Sequence, residues 1–242
     1  MPAYRNELKY LVSFGEGNAL KLRLMPLTEP DPNTVNGSYT IRSLYFDDFY
    51  DSAYAEKEMG IFFRKKYRIR IYNYSDTVVH LERKLKQGQL ICKESAPLTR
   101  EEFFRIIEGD YGFLLEKEEN LCREFYYELT SNVLRPRVIV DYERTPFILE
   151  SGTVRVTFDE NIRAAAGNFD IFDKDLPAIC ALSEKEMIME VKFTEFLPKL
   201  IRDALPAASE FTAASKYTMC RDRMEYLYSK EYYREKAGIT YR

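Results

Sequence analysis

Hydrophobic and polar positions alternate with a period of two along much of this chain, the signature of strands whose two faces meet different surroundings. Eight stretches read this way: residues 4–12, 39–47, 65–73, 78–86, 89–95, 137–145, 153–159 and 187–193. Helical signals fill the intervals. Residues 16–25 are predicted as a helix stopped by Pro26. Thr99 opens another, with Glu102 three residues on as a capping box and Gly109 as its stop. Residues 120–130 form a third, and Leu197 onward, with Pro198 in the first turn, a fourth. Ser215 is placed to cap a long final helix running through Tyr233. The stretch 26–38, with Pro26, Pro30, Pro32, Asn33, Asn36 and Gly37, reads as a loop. Strands outnumber helices and short turns join many of them. That combination predicts an antiparallel α+β sheet or barrel and argues against a parallel doubly wound fold.

The polar faces of these strands are unusual in carrying full charges, mostly cations. Lys66, Arg68 and Arg70 share one face of their strand, and Tyr67, Ile69 and Ile71 the other. His80, Glu82, Lys84 and Lys86 line up in the same way, as do Arg155, Thr157 and Asp159. Glu190 and Lys192 oppose Met189, Val191 and Phe193, and near the start Arg5, Glu7 and Lys9 share a face. Glu-x-Lys recurs at Glu7/Lys9, Glu82/Lys84 and Glu190/Lys192, each on a candidate strand, where residues i and i+2 point the same way. Two arrangements satisfy the pattern. One is an open sheet with a wet, charged face. The other is a closed barrel, with apolar faces outward beneath helices and charges inward. A narrow space lined by so many cations is unstable when empty, through repulsion and desolvation, and calls for a polyanion to fill it. The planar fork of arginine bonds two phosphate oxygens at once, and a few carboxylates nearby could hold a divalent metal bridging them.

Composition narrows the choice. The 242 residues are 45% hydrophobic and 31% charged, enough apolar surface for a sizeable core and too much for intrinsic disorder; a single domain over 1–242 is expected. Lys+Arg number 36 against Asp+Glu 39, a net charge of -3, which argues against nucleic acid as a partner and requires any basic site to be local. No apolar run reaches the roughly 18 residues of a membrane span, and the first residues lack the apolar core of a signal peptide. A cytoplasmic location is therefore expected. Cys92, Cys122, Cys180 and Cys220 form no C-x-x-C pair, which argues against structural zinc, and each is expected as a small buried apolar residue. His80 is the only histidine and reads as a strand-face residue near the site. The run Asp47 to Asp51 lacks the glycine and spaced glutamate of a calcium loop and reads as a solvated turn. Lys86-Gln87-Gly88-Gln89 reads as a hairpin turn, and the absence of G-x-x-x-x-G-K-[ST] excludes a P-loop. Tyr226, Tyr228, Tyr232 and Tyr233 are expected to pack the last helix onto the sheet.

Seven segments then occur in an order that matches a known family. They are Arg5-Asn6-Glu7-Leu8-Lys9-Tyr10, Ile41-Arg42-Ser43-Leu44-Tyr45-Phe46-Asp47, Lys66-Tyr67-Arg68-Ile69-Arg70, Val140-Asp141-Tyr142-Glu143-Arg144, Val154-Arg155-Val156-Thr157-Phe158-Asp159, Met189-Glu190-Val191-Lys192 and Ser215-Lys216-Tyr217. Together, over about residues 4–225, they resemble the VTC-type polyphosphate polymerase domain of the triphosphate tunnel metalloenzymes, in the manner of stand-alone bacterial-type members. The resemblance implies an eight-stranded antiparallel barrel wrapped by helices. It implies binding of ATP or another nucleoside triphosphate and of inorganic polyphosphate, with Mn2+ or Mg2+ as cofactor. It further implies that Lys9 is a first-strand tunnel lysine, and that Arg68 and Arg70 grip terminal phosphates with Lys84 and Lys93 beside them. Tyr142 and Arg144 would face the tunnel, as would Arg155 and Thr157. Glu190 would hold the metal beside Lys192, with Glu7, Glu82 and Asp159 as further candidates, and Ser215 and Lys216 would close the site from the final helix. Transfer of the γ-phosphoryl group to a growing chain is the expected reaction. Hydrolysis of a triphosphate, or binding of polyphosphate without turnover, are the alternatives. A separate membrane protein could serve as partner, since this chain carries no span.

Overall fold

The computed structural model describes residues 4–34, 36–205 and 214–236. In chain order the elements are β1 (Arg5–Ser13), α1 (Phe14–Leu24), β2 (Glu29–Pro30), β3 (Tyr39–Asp47), α2 (Ser52–Glu58), β4 (Phe63–Tyr72), β5 (Ser75–Gln87), β6 (Leu90–Leu98), α3 (Arg100–Glu108), α4 (Asn120–Ser131), β7 (Arg135–Leu149), β8 (Val154–Ala165), β9 (Ile179–Cys180), β10 (Glu186–Phe193), α5 (Lys199–Ala204) and α6 (Lys216–Lys236). Local signals account for most boundaries. Ser13 Oγ accepts from the Glu16 amide and caps α1. Thr99 and Glu102 exchange the two hydrogen bonds of a capping box, and Gly109, at φ 89°, ends α3 in the left-handed conformation that glycine adopts without strain. Pro198 occupies the N-cap of α5, one position outside its expected first turn.

Every strand pairing is antiparallel, and eight strands pair in a ring: β7–β3–β4–β5–β6–β1–β10–β8, with β8 returning to β7. The two-residue strands β2 and β9 hang on the outer edges of β7 and β8. The joints are unequal. β1 meets β10 over eight residue pairs, from Asn6↔Phe193 to Ser13↔Glu186, but meets β6 over only Arg5↔Ile91 and Asn6↔Leu90. The expected barrel is therefore present as a closed ring with one short seam.

Alternation divides each strand between two environments. The outward apolar faces are covered by helices. Phe103 and Ile106 of α3 and Leu121, Phe125 and Leu129 of α4 pack on Tyr67, Ile69 and Leu81. Leu20 and Leu24 of α1 and Ile201 of α5 pack on Val12, Val156, Phe158, Met187, Met189 and Val191. A third cluster fills one end of the ring from inside: Ile41, Tyr45, Val138, Val140, Ile162 and Ile188 close around Tyr217 and Cys220 of α6. The barrel is thus plugged at one end by a helix, and its inward charges gather in the remainder.

Three expectations are corrected. The segment 47–51 is not a solvated turn: Asp47 is buried, accepts from the amides of Ala53 and Tyr54 and from the Tyr217 hydroxyl, and so starts α2 and anchors α6 together. Asp51 adds ion pairs to Arg137 and Arg221. Cys180 is exposed, unlike the three other cysteines, because it lies on an edge strand of two residues. Tyr226 and Tyr228 are about half exposed instead of buried beneath α6, while the side chains of Tyr232 and Tyr233 lie outside the described residues.

Candidate anion-binding tunnel

The inward charges come from neighbouring strands at matching heights. Arg68 stands directly opposite Glu82 across β4 and β5, and Lys9 opposite Glu190 across β1 and β10. Each buried carboxylate is shared by several cations. Glu82 accepts from Arg68 at 2.7 Å and Lys93 at 2.7 Å, with Arg70 at 3.8 Å. Glu7 accepts from Lys84 at 2.8 Å, with Lys192 and Lys9 at 3.6 and 3.8 Å. Asp159 takes two hydrogen bonds from Arg144, at 2.6 and 2.7 Å, and one contact from Lys216 at 2.5 Å. Glu190 is the hub: Lys192 at 2.7 Å, Lys216 at 2.8 Å, Lys9 at 3.3 Å and Arg144 at 3.5 Å. Burial alone would raise these carboxyls; the cations overcome it and hold Glu7, Glu82, Asp159 and Glu190 below the usual carboxylate range.

The cations outnumber these anions. A cavity of about 190 Å³ is lined by Lys9, Lys57, Arg64, Lys66, Arg68, Arg70, Lys84, Lys86, Arg144, Lys192 and Lys216, eleven cations against the two carboxylates Glu7 and Glu190. A second cavity, of about 130 Å³, shares Glu7, Arg68, Arg70, Lys84, Arg144 and Lys192 with the first and adds Arg5, Lys93 and Arg155. The two cavities adjoin inside the ring; the exposed Gln89 borders the first and the exposed Lys93 the second. Burial pushes the Lys84 ammonium down to about 7, against the pull of Glu7. Burial, followed by repulsion from Lys84, Lys9, Lys57 and Arg64, pushes Lys66 well below its ordinary value. For Lys216 burial is overcome by Asp159 and Glu190, which raise it.

This interior brings together nearly all the residues the sequence singled out. Lys9, Arg68, Arg70, Lys84, Arg144, Lys192 and Lys216 line it with Glu7 and Glu190. Tyr142 lies on the same wall and its hydroxyl accepts from Arg70 at 3.2 Å. Ser215 immediately precedes α6; its carbonyl accepts from the Met219 amide at 3.0 Å and its hydroxyl from Lys66 at 3.1 Å. Thr157 is fully buried opposite Glu190, and its hydroxyl has no hydrogen-bond partner among the described residues. Arg155 lines only the second cavity, held by Asp31 from the 26–38 segment and by the Tyr39 hydroxyl at 2.8 Å. His80 faces Arg70 in register but is absent from the walls of both cavities. Beside Arg5 of the second cavity, four cations lining the first, Lys57, Arg64, Lys66 and Lys86, were not among the singled-out site residues. The last three continue the same period-two face outward. Lys57 comes from α2, a helix the sequence reading passed over.

Among the described residues no group of three or more His, Cys, Asp or Glu converges as an all-protein metal site. Two carboxylates on one cavity wall, Glu7 and Glu190, match a different type of ion: one that takes most of its shell from phosphate oxygens and water.

The structure is thus a closed antiparallel ring around a cation-rich interior. The chain belongs to the VTC domain family, whose model matches residues 4–225. No curated protein matches it. Among solved structures, a putative adenylyl cyclase from Hippeastrum reported with a dominant triphosphatase activity shares the fold at a TM-score of 0.54 and 13% identity, covering 92% of this chain and 96% of that one. A putative adenylate cyclase from Bacillus halodurans aligns at a TM-score of 0.49 and 13% identity, over 80% of this chain and 82% of that one.

Proposed function

We propose that this protein transfers the γ-phosphoryl group of ATP to the end of an inorganic polyphosphate chain, breaking the β–γ phosphoanhydride bond and releasing ADP. The observation that carries the reading is the charge of the cavity, eleven cations against two carboxylates, each of those carboxylates already held ionised by several cations. Phosphoryl transfer asks a protein chiefly for positioning and charge stabilisation. Arg68, Arg70 and Arg144 supply planar, fixed donors for the transferred group and its acceptor. Lys9, Lys84, Lys192 and Lys216 surround the same space, Lys216 delivered by the helix that plugs the barrel. Thr157 offers an unused hydroxyl, and Lys93 and Arg155 extend the donor set into the second cavity. Mn2+ or Mg2+ would be held by Glu190 with Glu7 and would neutralise negative charge on the bound phosphates.

Acidity supports this choice of acceptor. Glu7 and Glu190 sit well below the usual carboxylate range and are weak bases, so neither is suited to activating water. A terminal phosphate is already an anionic nucleophile and requires no base. One observation favours hydrolysis instead: Lys84, brought to about 7 by burial, could take a proton from water near neutral pH. Incubation of the protein with ATP and Mn2+, with polymer, free phosphate and unchanged ATP resolved, separates the readings. Long polymer is the expected product. Free phosphate alone would reassign the protein as a triphosphatase, and unchanged ATP with tight polyphosphate binding as a module without turnover.

A further inference from the structure

The arginines inside the ring are aimed by different kinds of partner. Arg144 is gripped at two points by Asp159, at 2.6 and 2.7 Å. Arg68 and Arg70, on the inner face of β4, stand directly opposite Tyr45 and Ser43 of β3. The Tyr45 hydroxyl accepts from Arg68 Nη1 at 2.7 Å, leaving Nε and Nη2 to Glu82. The Ser43 hydroxyl accepts from Arg70 Nε at 3.1 Å, and Arg70 Nη2 donates to the Tyr142 hydroxyl at 3.2 Å. Glu82 stands 3.8 Å from Arg70. Close in, Arg70 is therefore oriented by two neutral hydroxyls. The hydroxyls of β3 are themselves fixed. The Tyr45 ring stacks on Tyr217, with 5.2 Å between centroids and 27° between planes. Ser43 is fully buried and lines neither cavity.

A carboxylate that orients an arginine also cancels its charge, and leaves it less attractive to an incoming anion. A hydroxyl accepts the same hydrogen bond and cancels nothing. Orientation is needed here, because guanidinium groups two residues apart on one strand point the same way and repel. Arg68 accordingly opposes the positive charge of Arg70. A guanidinium meets two phosphate oxygens only when its plane faces them. We propose that Ser43 and Tyr45 are positioning residues that hold the forks of Arg70 and Arg68 in the plane that meets a phosphate. Neither hydroxyl touches the reacting atoms; Ser43 acts through Arg70 and Tyr45 through Arg68. This rests on the phosphate-binding reading of the ring interior and gives a role to β3, a strand that adds no cation to either cavity.

The test is a pair of double-substitution cycles read as affinity for sodium tripolyphosphate by calorimetry, without divalent metal, so that the outcome does not depend on the acceptor in catalysis. Tyr45→Phe and Ser43→Ala should each weaken binding about tenfold, the effect of losing a hydrogen bond to a charged group. No charge is removed, so the dependence of affinity on salt should match that of the unsubstituted protein. In an Arg68→Met background Tyr45→Phe should weaken binding less than about twofold while Ser43→Ala keeps its full effect, and in an Arg70→Met background the two should exchange. Ser43→Thr, which keeps the hydroxyl, should bind as the unsubstituted protein does. A Tyr45→Phe loss that persists without Arg68 would put that hydroxyl on the ligand itself and overturn the positioning role. Equal losses in every background, the mark of a merely structural part, would overturn it too, as would no loss in either single variant or a full loss in Ser43→Thr; each leaves anion binding by the ring intact. Failure of the unsubstituted protein to bind tripolyphosphate would overturn the phosphate-binding reading together with this one.

Discussion

Glu190 touches four cations, and its charge is the one whose removal reports most directly on what the tunnel is for. In Glu190→Gln, Lys192, Lys216, Lys9 and Arg144 lose a carboxylate at 2.7, 2.8, 3.3 and 3.5 Å. Removing one partner of a buried ion pair costs about 3–5 kcal/mol. The low end applies, because each cation keeps a second acid: Lys216 and Arg144 keep Asp159, and Lys9 and Lys192 keep Glu7. A loss of about 3 kcal/mol lowers the midpoint of a chain this size by roughly 6–12 °C. A bound triphosphate should supply the missing negative charge. At a hundred times its Kd a ligand stabilises by about 2.7 kcal/mol, and the variant should gain more than the wild type at equal ligand concentration, because its affinity rises as its stability falls. Thermal unfolding with and without tripolyphosphate, in the absence of divalent metal, measures all four values. An unchanged midpoint in the variant, or an anion that stabilises both proteins equally, would refute the view that Glu190 stands in for phosphate charge in the empty tunnel.

Other outcomes follow from the same geometry. Burial brings the free Lys84 ammonium to about 7, and a bound polyanion favours its charged form, so triphosphate binding should take up protons and weaken as pH rises above 7. Calorimetry in two buffers of different ionisation enthalpy reads that uptake, and identical heats would contradict it. For the free protein the sign is opposite: the folded Lys84 value lies below its unfolded value of 10.5, so the unfolded chain binds more protons and this lysine contributes stability that grows from about pH 7 toward 10.5. Arg70→Ala should lower turnover about a hundredfold or more, by analogy with removal of one transition-state donor worth about 2.7–4 kcal/mol; wild-type-like kcat would take Arg70 off the list of reacting contacts. Tyr217→Phe removes the 2.5 Å hydrogen bond to Asp47 and should cost about 1.5–3 kcal/mol. Because Lys216 is the adjacent residue, KM for ATP should rise as well, and a melting shift without any kinetic change would separate the plug from the site.

Much of this was legible in one dimension. Period-two alternation found the eight ring strands because most have an apolar face and a charged one, and it placed Lys66, Arg68 and Arg70 on one shared face, and Glu190 with Lys192 on another, without any knowledge of their partners. Register was not legible. Glu82 and Lys84 are two residues apart, yet Glu82 serves Arg68 and Lys93 while Lys84 serves Glu7 from β1. Those pairings depend on which strands become neighbours, and β1 and β10 come from opposite ends of the chain. Helix α2 escaped because it buries no residue fully and so leaves no amphipathic stripe to detect. Asp47 was misread for a related reason: an aspartate next to four polar or aromatic neighbours looks solvated until the amides of α2 and the Tyr217 hydroxyl are seen to converge on it. Arg42 and Asp141 show the converse, a buried ion pair at 2.8 Å on the outer face of the ring, where alternation alone expects apolar residues.

The uneven joints of the ring also bear on how the molecule is made. β1 leaves the ribosome first, but its eight-pair neighbour β10 is the last of the barrel strands to be synthesised, and its other contact, with β6, spans two pairs. A nascent chain can therefore zip β3 through β6 hairpin by hairpin while its first strand waits, edge exposed, for residue 193 to emerge. Such late closure between distant segments is slow and prone to off-pathway pairing. Yield in cells should accordingly depend on translation speed and chaperone supply more than on the final stability of the barrel.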